Sequence, residues 1–93
     1  IPLNPATGKV VEGGIKEQTE QVFKNIVAIL GAAGYSLDNV VKATVLMSDM
    51  DNFAAMNEVY AKFFTKDMPA RAAYGVVKLP LGVMVEIEAV AVK

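Results

Sequence analysis

Apolar residues recur at helical spacing in two stretches of the chain and predict two helices. The first is predicted over residues 15–33, with Gly34 ending it as the residue after the C-cap. Asp49 or Asp51 is expected to cap the second, which should end before Lys66. The predicted inner stripes are Ile15, Thr19, Val22, Ile26, Ile29, Leu30 and Ala33, and then Phe53, Met56, Tyr60 and Phe63 or Phe64.

Three further runs predict the main strands. Residues 40–47 are β-branched and nearly all apolar, which is typical of a central strand buried on both faces. Residues 71–77 and 83–92 are predicted to form a hairpin around a turn at 78–82. Near the N-terminus, turn-forming residues 4–8 separate two short β-compatible pieces and predict a hairpin-like turn.

These elements predict one α+β domain over residues 1–93. Crossover connections between strands are overwhelmingly right-handed, so the simplest arrangement is a mixed sheet with both helices on one face. The runs at 40–47 and 83–92 carry apolar residues on both alternating faces, whereas the helices cover only one. We therefore expect another subunit to cover the second face.

Composition excludes several classes of function. Nine basic and ten acidic residues give a net charge of −1, so the broad positive field of a nucleic-acid-binding protein is not expected. The chain has no cysteine and no histidine, which excludes Ser-His and Cys-His nucleophilic systems and Cys/His zinc sites. No apolar run reaches the ~18 residues of a membrane span. The N-terminus shows neither an initiating Met nor a signal peptide, which suggests a trimmed chain. The absence of cysteine favours the cytoplasm or the mitochondrial matrix.

Arg71 is the first candidate for a functional residue. It is the only arginine of the chain and begins a predicted strand of small and apolar residues. A planar, permanently charged guanidinium in such a place suits bidentate capture of a carboxylate. The alternatives are an ion pair with a neighbouring glutamate, or a guanidinium that simply reaches solvent.

Two glutamates and one asparagine are further candidates. Glu86 and Glu88 alternate with apolar residues, so both carboxylates should share one sheet face with Met84 and Val90. Like charges at that spacing, or partial burial, disfavour the ionised form of at least one, which makes it a candidate general acid or base. A wet outer face is the alternative, and the pattern alone slightly favours it. Asn57, beside the second apolar stripe, could contact a ligand, but a bond to a nearby loop is the simpler interpretation.

A set of short motifs in a fixed order resembles the RidA (YjgF-type) reactive-intermediate deaminases along essentially the whole chain. Each motif is weak alone, but their combined order and spacing are highly specific. The motifs are Ile1-Pro2-Leu3-Asn4-Pro5, Val40-Val41-Lys42, Asp49-Met50-Asp51-x-Phe53, Asn57-x-Val59-Tyr60, Pro69-Ala70-Arg71, Leu79-Pro80-x-Gly82 and Val85-Glu86-Ile87-Glu88.

The resemblance implies a chorismate-mutase-like fold, assembled as a homotrimer around a central barrel with ligand sites between subunits. It also implies hydrolysis of 2-iminobutanoate, 2-iminopropanoate and related enamines to 2-keto acids and ammonia, without a cofactor or metal. By motif, Arg71 corresponds to the carboxylate-binding arginine, Glu86 to the glutamate that positions or activates water, and Asn57 to a site-lining residue.

The chain departs from the family pattern in two ways. Relatives usually begin about thirty residues earlier, with Gly-Pro-Tyr and Ser-Gly-Gln segments that help to form the site. Many also carry cysteine where this chain has Ala73. Three alternatives to a deaminase stay open: a non-catalytic module that binds small carboxylates, an endoribonuclease or translation inhibitor, and a chaperone-like protein.

Overall fold

The helices and strands follow the predicted order closely. A computed structural model describes residues 1–65 and 68–93. The helices and strands are β1 (Leu3–Asn4), β2 (Lys9–Val10), α1 (Ile15–Ala32), β3 (Val40–Met47), α2 (Phe53–Phe63), β4 (Ala70–Gly75) and β5 (Val85–Ala91). The predicted end of the second helix before Lys66 is confirmed at Phe63, and Lys66 and Asp67 themselves lie outside the described residues. Within the described chain, neither helix is long and apolar enough to cross a membrane.

The predicted cap is present at α1, whereas the predicted cap of α2 lies one turn before that helix. Gly34 has a φ of 79° and follows the C-cap of α1, as predicted, because glycine adopts the left-handed conformation without a side-chain clash. A short 3₁₀ turn at Met50–Asn52 leads into α2, and the Asp49 carboxylate accepts a 2.9 Å hydrogen bond from the Asp51 amide there. α2 itself begins after Asn52, which makes no side-chain capping bond, so the prediction that Asp49 or Asp51 caps this helix directly is wrong.

The main sheet has the strand order β4-β3-β5, which confirms β3 as the central strand. β3 and β4 are parallel, and β3 and β5 are antiparallel. The predicted hairpin between the last two strands is wrong, because β3 lies between them. The crossover through α2 places β4 at one edge of β3. β5 then satisfies the backbone groups of the other edge, which a β4-β5 hairpin would leave unpaired.

The core lies between the two helices and one face of this sheet. Its largest fully buried side chains include Phe23, Met47, Met56 and Tyr60. Ile29, predicted to face inward, is instead 70% exposed. One side of α1 faces the N-terminal β1-β2 hairpin, where Asn25 donates hydrogen bonds to the carbonyls of Ile1 and Leu3, while Ile26 and Leu30 of the same half pack against the core. The predicted turn at residues 4–8 is confirmed within this hairpin.

The opposite face of the sheet is uncovered in the single chain, as the sequence predicts. Along β3, Ala43, Val45 and Met47 are buried, whereas Thr44 and Leu46 on the other face are only half-buried. Burial of this strand on both faces, expected from its composition, therefore does not occur within one chain. A large part of a β-branched, apolar strand remains available for contact.

The turn before β5 contains a strained residue that permits a stability prediction. Leu81 has a φ of 57° and Gly82 a φ of 67°, and the Val83 amide donates a hydrogen bond to the Pro80 carbonyl. Two consecutive left-handed residues define a type I′ turn, which prefers Asn-Gly. Leu81→Asn should therefore raise the free energy of unfolding by about 1 kcal/mol in denaturant titrations.

Leu81→Ala is the matched control for this prediction. It also removes the apolar side chain, which is 70% exposed, but it leaves a β-carbon in a left-handed residue without the local bonding that asparagine provides. Alanine should give little or no gain. An equal gain in both variants would contradict the strain argument and point to loss of exposed apolar surface instead.

Candidate functional site

Arg71 lies on the helix side of the sheet, where three residues of α2 contact its guanidinium. Its Nη1 donates a 2.5 Å hydrogen bond to Asn57 Oδ1. The guanidinium carbon lies 4.6 Å from the ring centroid of Tyr60 and 5.3 Å from that of Phe53, both within the range of a cation–π interaction. Phe53, Asn57 and Tyr60 are spaced by four and three residues and so form one stripe of the helix. We call these three residues the arginine cradle.

The arginine cradle consists of uncharged groups. Among residues 1–65 and 68–93, the ion pairs are Lys16 with Glu58 and Lys24 with Glu20, and neither involves Arg71. The predicted alternative of an ion pair with a neighbouring glutamate is therefore not found in the described chain. The guanidinium is exposed at one side and stacked at the other. It keeps its positive charge and several of its five N–H donors for an external anion.

Asn57 contacts the arginine rather than a loop. It is half-buried, and its amide oxygen takes one N–H of Arg71. A neutral acceptor at this point fixes the rotation of the guanidinium without neutralising it. The structure thus brings together Arg71 and Asn57, two of the four residues singled out from the sequence.

Tyr60 is a site residue that sequence reasoning assigned only to the core. Its side chain is fully buried, and its hydroxyl has no hydrogen-bond partner in the described part of the chain. Burial raises the pKa of the Tyr60 phenol, and the positive charge of Arg71 opposes that rise. The phenol is therefore uncharged at neutral pH, and its ring face is the feature that Arg71 contacts. The helical spacing of Tyr60 from Asn57 and Phe53 was the sequence feature that could have identified it as a site residue.

Glu86 and Glu88 lie together on the other face of the sheet. In the β3-β5 ladder, Glu86 is opposite Leu46 and Glu88 is opposite Thr44, and both alternate with buried residues of β5. The predicted shared face is confirmed. Glu86 is half-buried and Glu88 exposed, so Glu86 is the carboxylate that has more contact with apolar surroundings.

One chain does not bring Arg71 and Glu86 together. Arg71 is opposite Ala43 and points to the helices, whereas Glu86 is opposite Leu46 and points away from them. Their α-carbons are roughly 14 Å apart by sheet geometry, with the sheet between the two side chains. A site that uses both groups on one small molecule therefore needs them from two copies of the chain.

The rest of the site region offers little additional chemistry. Ala73 lies two residues along β4 from Arg71 and packs partly against the core. In the described residues, no cluster of acidic side chains is arranged to hold a metal ion. The groups available for chemistry are thus a fixed cation on one sheet face and two carboxylates on the other.

Comparison of the sequence with known proteins identifies relatives that match along the whole chain. A family model described as Endoribonuclease L-PSP matches residues 1–93. A mouse protein named 2-iminobutanoate/2-iminopropanoate deaminase is 50% identical over 93 residues, covering 100% of this chain and 69% of the mouse protein. The similarity extends over the whole of this chain.

Solved structures agree with the sequence comparison. Yeast Mmf1 superposes with a TM-score of 0.95 at 49% identity, covering 99% of this chain and 73% of that protein. TdcF from E. coli, solved with bound serine, superposes with a TM-score of 0.93 at 38% identity, covering 99% of this chain and 74% of that protein. Helices, sheet order and the strands that carry the site residues therefore belong to one shared fold.

Proposed function

Because this chain belongs to the endoribonuclease L-PSP family, the RidA (YjgF-type) family that its motifs resemble, we propose that it is a 2-iminobutanoate/2-iminopropanoate deaminase. The family's α+β, chorismate-mutase-like fold confirms the predicted fold class. The observation that carries the proposal is the arginine cradle, which holds Arg71 with uncharged groups and leaves its charge for a carboxylate.

Substrate binding in this proposal begins at Arg71. Two parallel N–H donors of the guanidinium bind the carboxylate that 2-imino acids and 2-keto acids share. The hydrogen bond to Asn57 fixes the plane of the guanidinium, so the imine carbon is placed in a defined position relative to the sheet edge. The remaining part of the substrate is short and apolar, as suits a site beside Phe53.

Hydrolysis then needs a base and a water molecule. Glu86 from a second copy takes a proton from water as the water oxygen attacks the imine carbon, and it returns that proton to the nitrogen to give a carbinolamine. Glu86 then takes the hydroxyl proton and passes it to the nitrogen as the C–N bond breaks, which forms the keto group and releases ammonia. One water is consumed per imine, and no electron acceptor is required.

The assembly in this proposal is a homotrimer with sites between subunits. The uncovered face of β3 and β5 supplies the contact surface between subunits. Because Arg71 and Glu86 lie on opposite faces of the sheet, a site that uses both needs a neighbouring subunit. Cyclic association presents the Arg71 side of one copy to the Glu86 side of the next. The number of subunits rests on the family resemblance.

The first experiment measures ammonia release from 2-iminobutanoate that threonine dehydratase generates in situ. We expect the protein to accelerate release above spontaneous hydrolysis. Saturable binding of 2-oxobutanoate without acceleration would favour the second candidate, a non-catalytic carboxylate-binding module, for which serine bound to TdcF is the supporting observation. RNA cleavage that persists through purification, with no acceleration of imine hydrolysis, would favour the nuclease activity in the family's description.

A mixing experiment tests whether the site is shared between copies. Arg71→Ala and Glu86→Gln should each be inactive alone, because each removes one of the two essential groups. After the two variants are unfolded together and refolded at equal ratio, activity should recover to roughly a quarter of wild type, since one site in four combines both intact residues.

Glu88→Gln is the matched control for the mixing experiment. It makes the same chemical change on the same strand and face but should retain activity by itself. An absence of recovery when Arg71→Ala and Glu86→Gln are mixed, with both variants folded and assembled, would contradict a shared site.

A further inference from the structure

We infer that Tyr60 is a positioning residue, whose ring face holds the guanidinium of Arg71 in the orientation that receives a carboxylate; this rests on the proposed function. The stacking distance of 4.6 Å is the shorter of the two cation–π contacts that Arg71 makes. The guanidinium carbon lies over the Tyr60 ring, while Asn57 accepts a hydrogen bond from Nη1. These two contacts at different parts of the group restrict the orientation of a planar fork.

Tyr60 is suited to this role because it is itself immobilised. Its side chain is fully buried, with its ring centroid 4.9 Å from that of Phe64 and 5.6 Å from that of Phe23, the latter pair in an edge-to-face arrangement. Phe53, the other ring of the arginine cradle, is only half-buried. Tyr60 therefore acts as the fixed platform between the aromatic core and the exposed cation.

An uncharged platform has a specific advantage at a carboxylate site. A long arginine side chain loses much rotamer freedom when it is fixed, and ordering it before the ligand arrives lowers the cost of binding. A glutamate partner would order the guanidinium equally well but would compete with the ligand for the same N–H donors. The electron-rich face of an aromatic ring orders the cation and leaves those donors accessible.

The hydroxyl of Tyr60 is not part of this role. It has no partner in the described part of the chain, and the contact with Arg71 is made by the ring face. Tyr60→Phe should therefore keep the platform and leave the protein equally or more stable. This gives a variant that separates the ring from its polar group.

The test compares KM and kcat for 2-iminobutanoate in three variants. Tyr60→Leu should raise KM about tenfold with kcat changed less than twofold, because the cation loses its platform. Tyr60→Phe should leave KM within twofold. Phe63→Leu removes another ring of the same aromatic cluster, which stacks on Phe23 at 4.7 Å, and should lower the melting temperature without changing KM.

A series of fluorinated phenylalanines at position 60 keeps the shape of the ring and covers the case in which Tyr60→Leu fails to fold. Fluorination withdraws electron density from the ring face, so KM should rise stepwise from phenylalanine to pentafluorophenylalanine. A KM that is independent of fluorination would overturn the proposal.

The second readout is independent of catalysis. Because Arg71 is the only arginine, its side-chain Nε–H gives a single, assignable NMR signal. A ring-current shift of this signal should be present in wild type, Tyr60→Phe and Phe63→Leu, and clearly smaller in Tyr60→Leu, where Phe53 at 5.3 Å is the remaining ring. A preserved shift in wild type with no imine hydrolysis would overturn the proposed function but not the platform. An unchanged signal in folded Tyr60→Leu would overturn the platform.

Discussion

Arg71→Ala is expected to reduce kcat/KM for 2-iminobutanoate by about 10³-fold, because it removes a charge-assisted, bidentate contact on which substrate placement depends. The side chain is exposed at an edge strand, so the free energy of unfolding should change by less than about 1 kcal/mol. Steady-state kinetics and denaturant titrations on the same sample check both parts.

Two further substitutions make this prediction specific. Arg71→Lys keeps the charge but loses the planar fork, and it should recover only a small part of the activity. Lys62→Ala removes an exposed cation from the last turn of α2, away from the stripe that holds Arg71, and should leave kcat/KM unchanged. Normal turnover in Arg71→Ala would contradict the assignment of this residue as the carboxylate-binding group.

Phe23→Ala should have the largest effect on stability, a loss of about 3–5 kcal/mol in the free energy of unfolding. The ring is fully buried and lies 4.7 Å from Phe63 and 5.6 Å from both Tyr60 and Phe64. Domains of this size are stable by about 5–15 kcal/mol, so the variant should unfold at much lower denaturant concentration.

The control for Phe23→Ala lies one turn further along the same helix. Val27 is 43% exposed, and Val27→Ala should change the free energy of unfolding by less than about 1 kcal/mol. A loss below about 1 kcal/mol for Phe23→Ala would mean that the cavity left by the ring is refilled by its aromatic neighbours.

Local signals in the sequence predicted most of the fold. Helical periodicity and capping residues identified α1 and α2, and Gly34 marked the end of α1 because only local backbone geometry decides such a position. Strand pairing depends on distant contacts, which explains why the hairpin of the last two strands was wrong. Ile29 fits the apolar period of α1, but the position of the β1-β2 hairpin decides which part of the helix is covered.

The candidate site was predictable in its residue types and less so in its geometry. The sequence identified Arg71 as the only arginine, Glu86 by its alternation with apolar residues, and Asn57 by the motif that contains it. That Asn57 bonds to the arginine, and that Tyr60 stacks on it, depends on how α2 crosses β4, which no local pattern encodes. Arg71 and Glu86 lie on opposite faces because of the pairing register of the strands. That register depends on the position of β3 between β4 and β5, which the sequence did not predict.

The sheet acts as a partition between the cation and the carboxylate of its own chain. Arg71 and Glu86 on opposite faces cannot neutralise each other within a folded subunit, so both charges stay available until copies meet. Under the proposed function, a folded chain and a working site are then separate states, linked by association. Dilution would then abolish activity by dissociating the subunits, although each subunit would remain folded. Activity would increase more steeply than linearly with total protein concentration.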